Sequence, residues 1–288
     1  MFIPYARQSI SDQDIAAVSE VLRSDFLTQG PAIPNFERAL ATYCGAKHAV
    51  AVNSATSALH IACLALGVGP GDIVWTNPIS FVASANCALY CGAKVDFVDI
   101  DPDTFNISVA ALTAKLEQAK KSGSLPRVVI PVHLAGQSSD MAAIHALAQD
   151  YGFKIIEDAS HAVGGTYNGS PVGSCLYSDI TVLSFHPVKI ITSGEGGMAL
   201  TNSASLSAAM ERLRSHGITR DKNLFQHAPD GPWYYEQLDL GLNYRLTDIA
   251  AALGLSQFQR LDSFVARRNE IARDYDSLFS SSVFTTPT

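Results

Sequence analysis

The sequence has few charged residues and no long hydrophobic run, and each of these features excludes a class of protein. Charged residues make up only 16% of the 288 residues and apolar residues make up 47%, which excludes a disordered chain or a coiled coil. No apolar run reaches the roughly 20 residues that a transmembrane helix needs. The net charge of −7 argues against general binding to nucleic acid or to a membrane surface. A globular fold with a large core is therefore expected.

The cysteines and histidines also lack any pattern typical of a metal site. The five cysteines show no metal-ligand spacing, and no two histidines stand at ligand spacing with a carboxylate between them, so we reject a metal centre. The odd number of cysteines, with no signal peptide, predicts reduced thiols in the cytoplasm. Each cysteine is expected to be a small buried side chain, namely Cys44, Cys63, Cys87, Cys91 and Cys175.

Short apolar segments alternate with helical patterns over most of the chain. The segments are rich in valine and isoleucine and apolar on both faces, which is typical of a parallel sheet covered by helices. Gly67, Gly92 and Gly152 follow predicted helices as C-terminal caps. The sequence therefore predicts an α/β protein with a mostly parallel sheet, whose strands span 49–52, 73–76, 95–98, 128–132, 154–156, 180–184 and 198–201.

The last 70 residues depart from this alternation. Residues 219–239 hold charges, two prolines and the aromatic run Trp233-Tyr-Tyr235, and we predict a long surface loop. A helical pattern returns over 246–278 and is expected to kink or break near Gly254. Residues 280–288 resemble a chain that stops within a domain.

Polar residues follow several of the predicted strands. Because ligands of an open α/β sheet bind at the carboxyl ends of its strands, these residues are expected to lie at one edge of the sheet. In chain order they are Asn53–Ser57, Asn77, His133, Asp158, His161, Ser184, His186 and Lys189, and the aromatic Phe81 follows the second predicted strand.

Lys189 has an unusual setting among these residues. Most lysines lie on solvated surfaces, but this one follows Pro187 and Val188 and precedes Ile190 and Ile191. Burial lowers the pKa of an amine and makes it a nucleophile toward carbonyls. The hypothesis is that Lys189 binds the aldehyde of pyridoxal phosphate (PLP) as a Schiff base.

The other polar residues each have a structural and a functional interpretation. Ser54, Thr56 and Ser57 are typical helix caps, but the same helix N-terminus can bind a phosphate. Asp158 is either paired structurally or holds the protonated nitrogen of a pyridine ring. Together with Lys189, these groups are the parts that a PLP enzyme needs.

The aromatic residue Phe81 and the histidines also have both a structural and a functional interpretation. Phe81 follows a strand, where it either packs in the core or stacks on a ring. Each of the three histidines that follow strands is more often structural than catalytic, and they are His133, His161 and His186.

Six motifs resemble the sugar-nucleotide aminotransferases of the DegT/DnrJ type, which have the fold of the aspartate aminotransferases (PLP fold type I). The resemblance covers essentially the whole chain. The motifs are Gly30-Pro31 with Phe36-Glu37, Asn53-Ser-Ala-Thr-Ser-Ala-Leu59, Glu157-Asp-Ala-Ser-His161, Ser184-Phe-His-Pro-Val-Lys189, Glu195-Gly-Gly197 and Gly241-Leu-Asn-Tyr-Arg245.

The resemblance implies a role for each matching residue. It implies a transaminase that uses PLP on Lys189, takes its amino group from glutamate and works as a homodimer with shared active sites. Lys189 and Asp158 are the implied catalytic residues, with Asp158 on the pyridine nitrogen. The other implied contacts are Ala55, Thr56 and Ser184 to the phosphate, Phe81 over the ring, His161 near the ring hydroxyl, Asn243 to the other subunit's cofactor, and Arg245 and His186 to the substrate.

Two further expectations follow from the resemblance. The form Asn53-Ser-Ala-Thr56, with Thr76-Asn-Pro-Ile-Ser-Phe81, resembles the branch that aminates C4 of a UDP-linked 4-keto-6-deoxy-N-acetylhexosamine on the way to pseudaminic acid. Family members also continue beyond the position of Thr288, for about half of a small domain. We therefore expect a PLP-binding large domain over 1–245 and, over 246–288, a long helix and the start of a truncated small domain.

Three alternatives remain beside the transaminase. A PLP-binding regulator or inactive homologue is compatible with a shortened small domain. A PLP-dependent sugar dehydratase resembles the chain, but such relatives carry histidine at the position of Lys189. A dinucleotide oxidoreductase ranks last, because the first strand-to-helix turn lacks Gly-x-Gly-x-x-Gly.

Overall fold

The computed structural model describes residues 6–279 together with Val283 and Thr286, and these residues form an α/β fold. The helices are α1 (Asp12–Leu22), α2 (Ala32–Cys44), α3 (Ala55–Ala65), α4 (Ala83–Tyr90), α5 (Val109–Ser122), α6 (Met141–Tyr151), α7 (Ala204–Arg214), α8 (Asp248–Phe258) and α9 (Leu261–Phe279). The strands are β1 (His48–Val52), β2 (Ile73–Thr76), β3 (Lys94–Phe97), β4 (Val128–Ile130), β5 (Lys154–Asp158), β6 (Thr166–Tyr167), β7 (Ser170–Pro171), β8 (Ile180–Ser184), β9 (Gly197–Thr201), β10 (Ile218–Thr219) and β11 (Glu236–Gln237).

A mostly parallel sheet lies at the centre of the fold, as predicted. Within residues 6–279 it has seven strands in the order β1-β9-β8-β5-β4-β2-β3. The neighbours from β8 to β3 run parallel, whereas β9 runs antiparallel to both β8 and β1. The reason is that β8 and β9 are joined by a loop rather than by a crossover helix, so the chain returns in the opposite direction.

Helices cover both faces of the sheet and bury its inner strands. Strands β4, β8 and β9 are buried along their whole length. Strand β3 was predicted to be buried on both faces like the others, but three of its four residues are exposed. It lies at the edge of the sheet, where it pairs with one neighbouring strand, β2. Helix caps follow the sequence: Gly67, Gly92 and Gly152 all have positive φ angles, which glycine adopts without strain.

The predicted break of the last helix at Gly254 is wrong. Helix α8 runs through Gly254, and the chain turns instead at Gln259, before α9. Gly254 allows α8 to approach α2 closely, because a Cβ atom there would lie 2.7 Å from Cζ of the buried Phe36 ring. The turn at Gln259 lets Gln257 and Arg260 both donate to the buried carboxylate of Asp14 in α1.

The predicted surface loop over 219–239 has more structure than the sequence indicates. Strands β10 and β11 pair across its base, and a 3-10 helix spans Lys222–Leu224. Glu236 accepts hydrogen bonds from the N–H groups of Gln226 and His227 and from the hydroxyl of Tyr234. A single carboxylate therefore closes the loop, while Trp233 stays 69% exposed.

All five cysteines are free and buried, as predicted. Within the described part of the chain, no helix combines the length and the apolar character that crossing a membrane requires. The expectation for the C-terminus falls largely on residues 280–282, 284, 285, 287 and 288, which lie outside the described residues. The division of the chain at residue 245 stays a prediction.

Candidate active site

A cavity of about 660 Å³ lies at the edge of the sheet where β5 and β8 end. Its volume is within the usual range of small-molecule sites, ~300–1,000 Å³. The predicted site residues that line it are Ala55, Thr56, Phe81, Asp158, His161, Ser184, His186 and Lys189. The fold therefore brings together side chains that lie up to 134 positions apart in the sequence, from Ala55 to Lys189.

The N-terminus of α3 forms one wall of this cavity. Ser54 caps the helix by accepting a hydrogen bond from the N–H of Ser57 at 3.1 Å. The first N–H groups of a helix have no acceptor within it, so those of Ala55 and Thr56 are available to a ligand. A helix N-terminus with free N–H groups and nearby hydroxyls attracts an anion, above all a phosphate.

Gly197 allows this helix to approach the sheet. A Cβ atom at this position would overlap the backbone nitrogen of Ala55 and lie 2.5 Å from the carbonyl carbon of Ser54. Gly197 pairs directly with Ser184 at the end of β8 and with Val52 at the end of β1. The register therefore places the Ser184 hydroxyl beside the start of α3, as a phosphate ligand at that helix requires.

Asp158 ends β5 and is 4% exposed. Its Oδ2 atom accepts a hydrogen bond from the hydroxyl of Ser84 at 2.6 Å. Its Oδ1 atom accepts from the hydroxyl of Ser160 at 2.6 Å and from the Ser160 N–H at 3.2 Å. A carboxylate has about four acceptor positions, so these three donors leave Asp158 able to accept from a ligand in the cavity.

Lys189 lies in the loop that joins β8 to β9. The loop is closed at its base because Phe185 donates its N–H to Gly196 and accepts at its carbonyl from Ser193. The Phe185 ring is fully buried and packs against that of Phe36, with ring centroids 5.0 Å apart. Burial lowers the pKa of the Lys189 amine, although the charge of Asp158 opposes the shift. More of the amine is therefore unprotonated and nucleophilic than in an exposed lysine.

His161 is held in one tautomer. Its Nδ1 atom accepts a hydrogen bond from the N–H of Ala135 at 3.3 Å, which leaves the proton on Nε2. Burial and the nearby Lys189 charge lower the pKa of His161, with Asp158 opposing them. His161 is thus a neutral side chain at neutral pH that can donate from Nε2.

Phe81 and His186 lie at the mouth of the cavity. The Phe81 ring is 68% exposed, so it is free to cover a ligand instead of packing in the core. His186 Nε2 lies 3.9 Å from Oε1 of Glu195, and its Nδ1 accepts from the N–H of Val188. Glu195, which the sequence analysis did not single out as a site residue, also lines the cavity.

The structure does not bring Asn243 and Arg245 into this cavity. Arg245 forms a bridge with Val52 of β1, and the adjacent Tyr244 carbonyl accepts from the N–H of Asn53. Asn243 is exposed. Both residues therefore lie on a segment that runs past the end of β1.

Sequence reasoning missed the residues that hold Asp158. Ser160 was part of a recognised motif without a role, and Ser84 lies one helical turn after Phe81. Nothing in the sequence marks either serine, since small hydroxyl residues near helix starts are typical caps. Only the packing of α4 against the sheet brings Ser84 to Asp158.

The residues of this cavity fit pyridoxal phosphate. The free N–H groups of Ala55 and Thr56 suit its phosphate, the buried carboxylate of Asp158 suits its ring nitrogen, and the amine of Lys189 suits its aldehyde. A cavity that offers an amine, a carboxylate and an anion-binding helix N-terminus at the strand ends of an α/β sheet is the architecture of a PLP-dependent enzyme.

Comparison with known proteins gives the family. The DegT/DnrJ/EryC1/StrS aminotransferase family matches residues 8–288. A UDP-4-amino-4,6-dideoxy-N-acetyl-beta-L-altrosamine transaminase of Campylobacter jejuni is 43% identical over 277 residues, which cover 96% of this chain and 69% of that protein. The chain therefore belongs to the DegT/DnrJ/EryC1/StrS aminotransferase family.

Solved structures share the fold over nearly the whole chain. Helicobacter pylori PseC, an aminotransferase involved in the biosynthesis of pseudaminic acid, superposes with a TM-score of 0.89 at 34% identity, covering 99% of this chain and 72% of PseC. The PLP form of the putative sugar aminotransferase Spr1654 of Streptococcus pneumoniae gives a TM-score of 0.85 at 32% identity, covering 98% of this chain and 72% of that chain.

Proposed function

We propose that this protein is a PLP-dependent aminotransferase that transfers an amino group to C4 of a UDP-linked 4-keto-6-deoxy-N-acetylhexosamine, toward pseudaminic acid or a related surface sugar. The observation that carries this proposal is the convergence of Lys189, Asp158 and the N-terminus of α3 on one cavity. The names of the Campylobacter jejuni and Helicobacter pylori relatives support the choice of sugar.

The cofactor contacts follow from the groups that line the cavity. The N–H groups of Ala55 and Thr56 and the hydroxyl of Ser184 bind the phosphate. Phe81 covers the ring from the mouth of the cavity, and the Nε2–H of His161 serves the ring hydroxyl as a hydrogen-bond donor. Ser84 and Ser160 orient the carboxylate of Asp158, which then holds a proton on the ring nitrogen.

Proton transfer is the task of Lys189. PLP, when bound, supplies an electron sink for a C–H bond next to an amine. The Nζ atom of Lys189 takes that proton as a general base and returns it as a general acid. Its lowered pKa suits both roles, because a general base works best when its pKa is near the operating pH. The negative charge of Asp158 would stabilise the positive charge on the ring nitrogen of PLP.

The remaining parts of the proposal concern the substrates and the assembly. Glutamate is the amino donor, and His186 at the mouth of the cavity contacts the sugar substrate. The active form is a homodimer in the cytoplasm, in which the exposed Asn243 reaches the phosphate of the partner's cofactor. Arg245, on the same segment, binds the diphosphate of the nucleotide sugar.

The first test replaces the lysine. Lys189→Ala is expected to abolish both the covalent attachment of PLP, trapped by borohydride and detected by mass spectrometry, and amine transfer from glutamate. Lys47→Ala is the matched control, because Lys47 is an exposed lysine outside the cavity. A Lys189→Ala protein that still traps PLP and transfers the amine contradicts the proposal.

The second test addresses the sugar. The protein is incubated with PLP, glutamate and a panel of UDP- and dTDP-linked 4-keto sugars, and the products are identified by NMR. We expect a 4-amino sugar from the UDP-linked 4-keto-6-deoxy-N-acetylhexosamine. A preference for a dTDP sugar without an N-acetyl group contradicts the proposed substrate but leaves the transaminase intact.

A further inference from the structure

Lys189 lines a second cavity as well as the first. This cavity of about 290 Å³ lies between the Lys189 loop, the N-terminal segment before α1 and helix α9. The N-terminal segment contributes Arg7, and α9 contributes Arg267 and Arg268. Three arginines thus line the same cavity as Lys189.

The two cavities differ in the charges that they offer a ligand. The charged and titratable residues of the first cavity are Asp158, His161, His186, Lys189 and Glu195, and no arginine lines it. Oxyanions such as carboxylates and phosphates are bound best by arginine, whose planar guanidinium donates two parallel hydrogen bonds. Of the two cavities that Lys189 lines within the described part of the chain, the second is the one that contains arginine.

Two of its three arginines have free charges. Arg267 pairs with Glu270 at 2.9 Å, so its charge is partly neutralised. Arg7 and Arg268 form no ion pair or side-chain hydrogen bond among residues 6–279, Val283 and Thr286. Of the two neutral amides in the cavity, Gln8 and Gln257, the second already donates to Ser9 and Asp14. Arg7 and Arg268 are therefore the groups available to an anion.

The rest of the lining is uncharged. It consists of four apolar residues, Pro187, Ile190, Phe264 and Ile271, and four polar ones, Gln8, Ser9, Thr192 and Gln257, and no carboxylate side chain is part of it. An anion here meets no like charge in the lining, and it can reach Arg7 and Arg268 from solvent because both side chains are exposed. A ligand with an anionic end and an uncharged body matches this distribution.

We infer that the second cavity is an oxyanion subsite in which Arg7 and Arg268 bind the carboxylate or phosphate of a substrate. The inference rests on the proposed function, because that function makes Lys189 the point where substrates react. Both proposed substrates have a suitable group: glutamate has two carboxylates, and the nucleotide sugar has a diphosphate. Anchoring the anionic end beside Lys189 would orient the rest of the substrate for reaction.

The test measures binding and turnover in Arg7→Gln, Arg268→Gln and the double variant. Glutarate and UDP, neither of which can react, serve as binding probes in isothermal titration calorimetry with the PLP-loaded protein. Because Arg7 and Arg268 are exposed, each is expected to change affinity by a few-fold, so the double variant should lose roughly 10- to 25-fold for one of the two probes. The KM of the corresponding substrate should rise in parallel.

Arg273→Gln is the matched control. It removes the same charge from the same helix, but Arg273 is exposed and does not line the cavity. It lies five positions after Arg268, which turns it about 140° around the helix axis. Its affinities are expected to equal those of the unmodified protein, and borohydride-trapped PLP is expected to be unchanged in all variants.

The outcomes separate the two sources of the anion. Loss of glutarate binding with intact UDP binding assigns the cavity to the amino donor, and the reverse assigns it to the nucleotide. If the double variant binds both probes as tightly as the unmodified protein, or if the latter binds neither, the inference is overturned. Failure of the proposed function has a different signature, namely no trapped PLP and no turnover in the unmodified protein.

Discussion

The two faces of the sheet at the end of β5 carry neighbouring carboxylates with different surroundings. Glu157 points away from the cavity, where its Oε2 atom lies 2.9 Å from His133 Nε2. Its Oε1 atom accepts from the hydroxyls of Ser178 and Thr181. Asp158, one residue later, points to the opposite face and lines the cavity, because successive strand residues alternate.

The proton positions on the Glu157 side can be read from the hydrogen bonds. The N–H of Ser139 donates to Nδ1 of His133, so the imidazole proton is on Nε2 and faces Glu157. Burial opposes ionisation of Glu157, but the hydrogen bonds that it accepts from His133 and from the two hydroxyls hold its pKa below the usual value. Glu157 therefore accepts only from groups within the described fold, and it does not line the cavity.

The comparison shows that burial of an acid does not by itself mark a functional residue. Both carboxylates are buried and each accepts from three donors. They differ in whether a cavity adjoins them. We therefore expect Asp158 to control the reaction and Glu157 to control stability, and the following changes can break that distinction.

Asp158→Asn should have the largest effect. It keeps the size of the side chain but removes the charge that stabilises the ring nitrogen. We expect kcat/KM of the folded variant to fall about 100- to 1,000-fold, as for the loss of one preorganised electrostatic group. Steady-state kinetics measure this fall, and urea titration identifies conditions in which the variant is folded. A variant with full activity would remove Asp158 from the mechanism.

Glu157→Gln should act on stability instead. The amide cannot accept from His133 through its NH₂ group, and its bonds to the two hydroxyls lose their charged acceptor. Because hydrogen bonds to charged groups contribute about 1.5–3 kcal/mol each, we expect a loss of about 3 kcal/mol in the free energy of unfolding. The kcat of the folded variant should stay within a few-fold of the original. A catalytic loss equal to that of Asp158→Asn would contradict the distinction.

The contribution of Glu157 should also depend on pH. Its folded-state pKa lies below 4.5, its ordinary value, so its stabilising effect is complete above pH 4.5. As pH falls through the folded-state pKa, the folded carboxylate takes up a proton and the effect is lost. The stability difference between the original protein and Glu157→Gln should therefore shrink below pH 4.5 in urea titrations. A difference that stays constant down to pH 3 contradicts the assigned pKa direction.

The serines next to the two carboxylates give the smallest and most closely matched test. Ser84→Ala removes a donor to Asp158, and Ser178→Ala removes a donor to Glu157. Each loses one hydrogen bond to a charged group, an effect of about 1.5 kcal/mol. For Ser84→Ala we expect this effect to appear as a loss of roughly 10-fold in kcat/KM. For Ser178→Ala we expect it to appear as a decrease in the free energy of unfolding. Equal effects of both serines on kcat/KM would show that the two faces are not independent.

Much of the fold and most of the candidate site could be predicted from the sequence. The strands, the helix caps and the polar residues after strand ends all follow from local patterns, and parallel strands necessarily bring their carboxyl ends to one edge. Lys189 was recognisable because an amine among apolar residues is unusual. The break of the last helix was predicted wrongly, because glycine in a helix signals either a break or a close approach, and only the Phe36 ring decides between them.

What the sequence by itself determined is the alternation of strands and helices, and with it the edge at which Lys189, Asp158 and the start of α3 meet. Only the tertiary structure decided which of two adjacent acids faces the cavity, which serines hold Asp158, and that Arg7 and Arg268 border a second cavity at Lys189. Local patterns follow from the backbone geometry of neighbouring residues. Contacts between distant segments depend on how whole elements pack, and a single sequence does not state that packing in any local pattern.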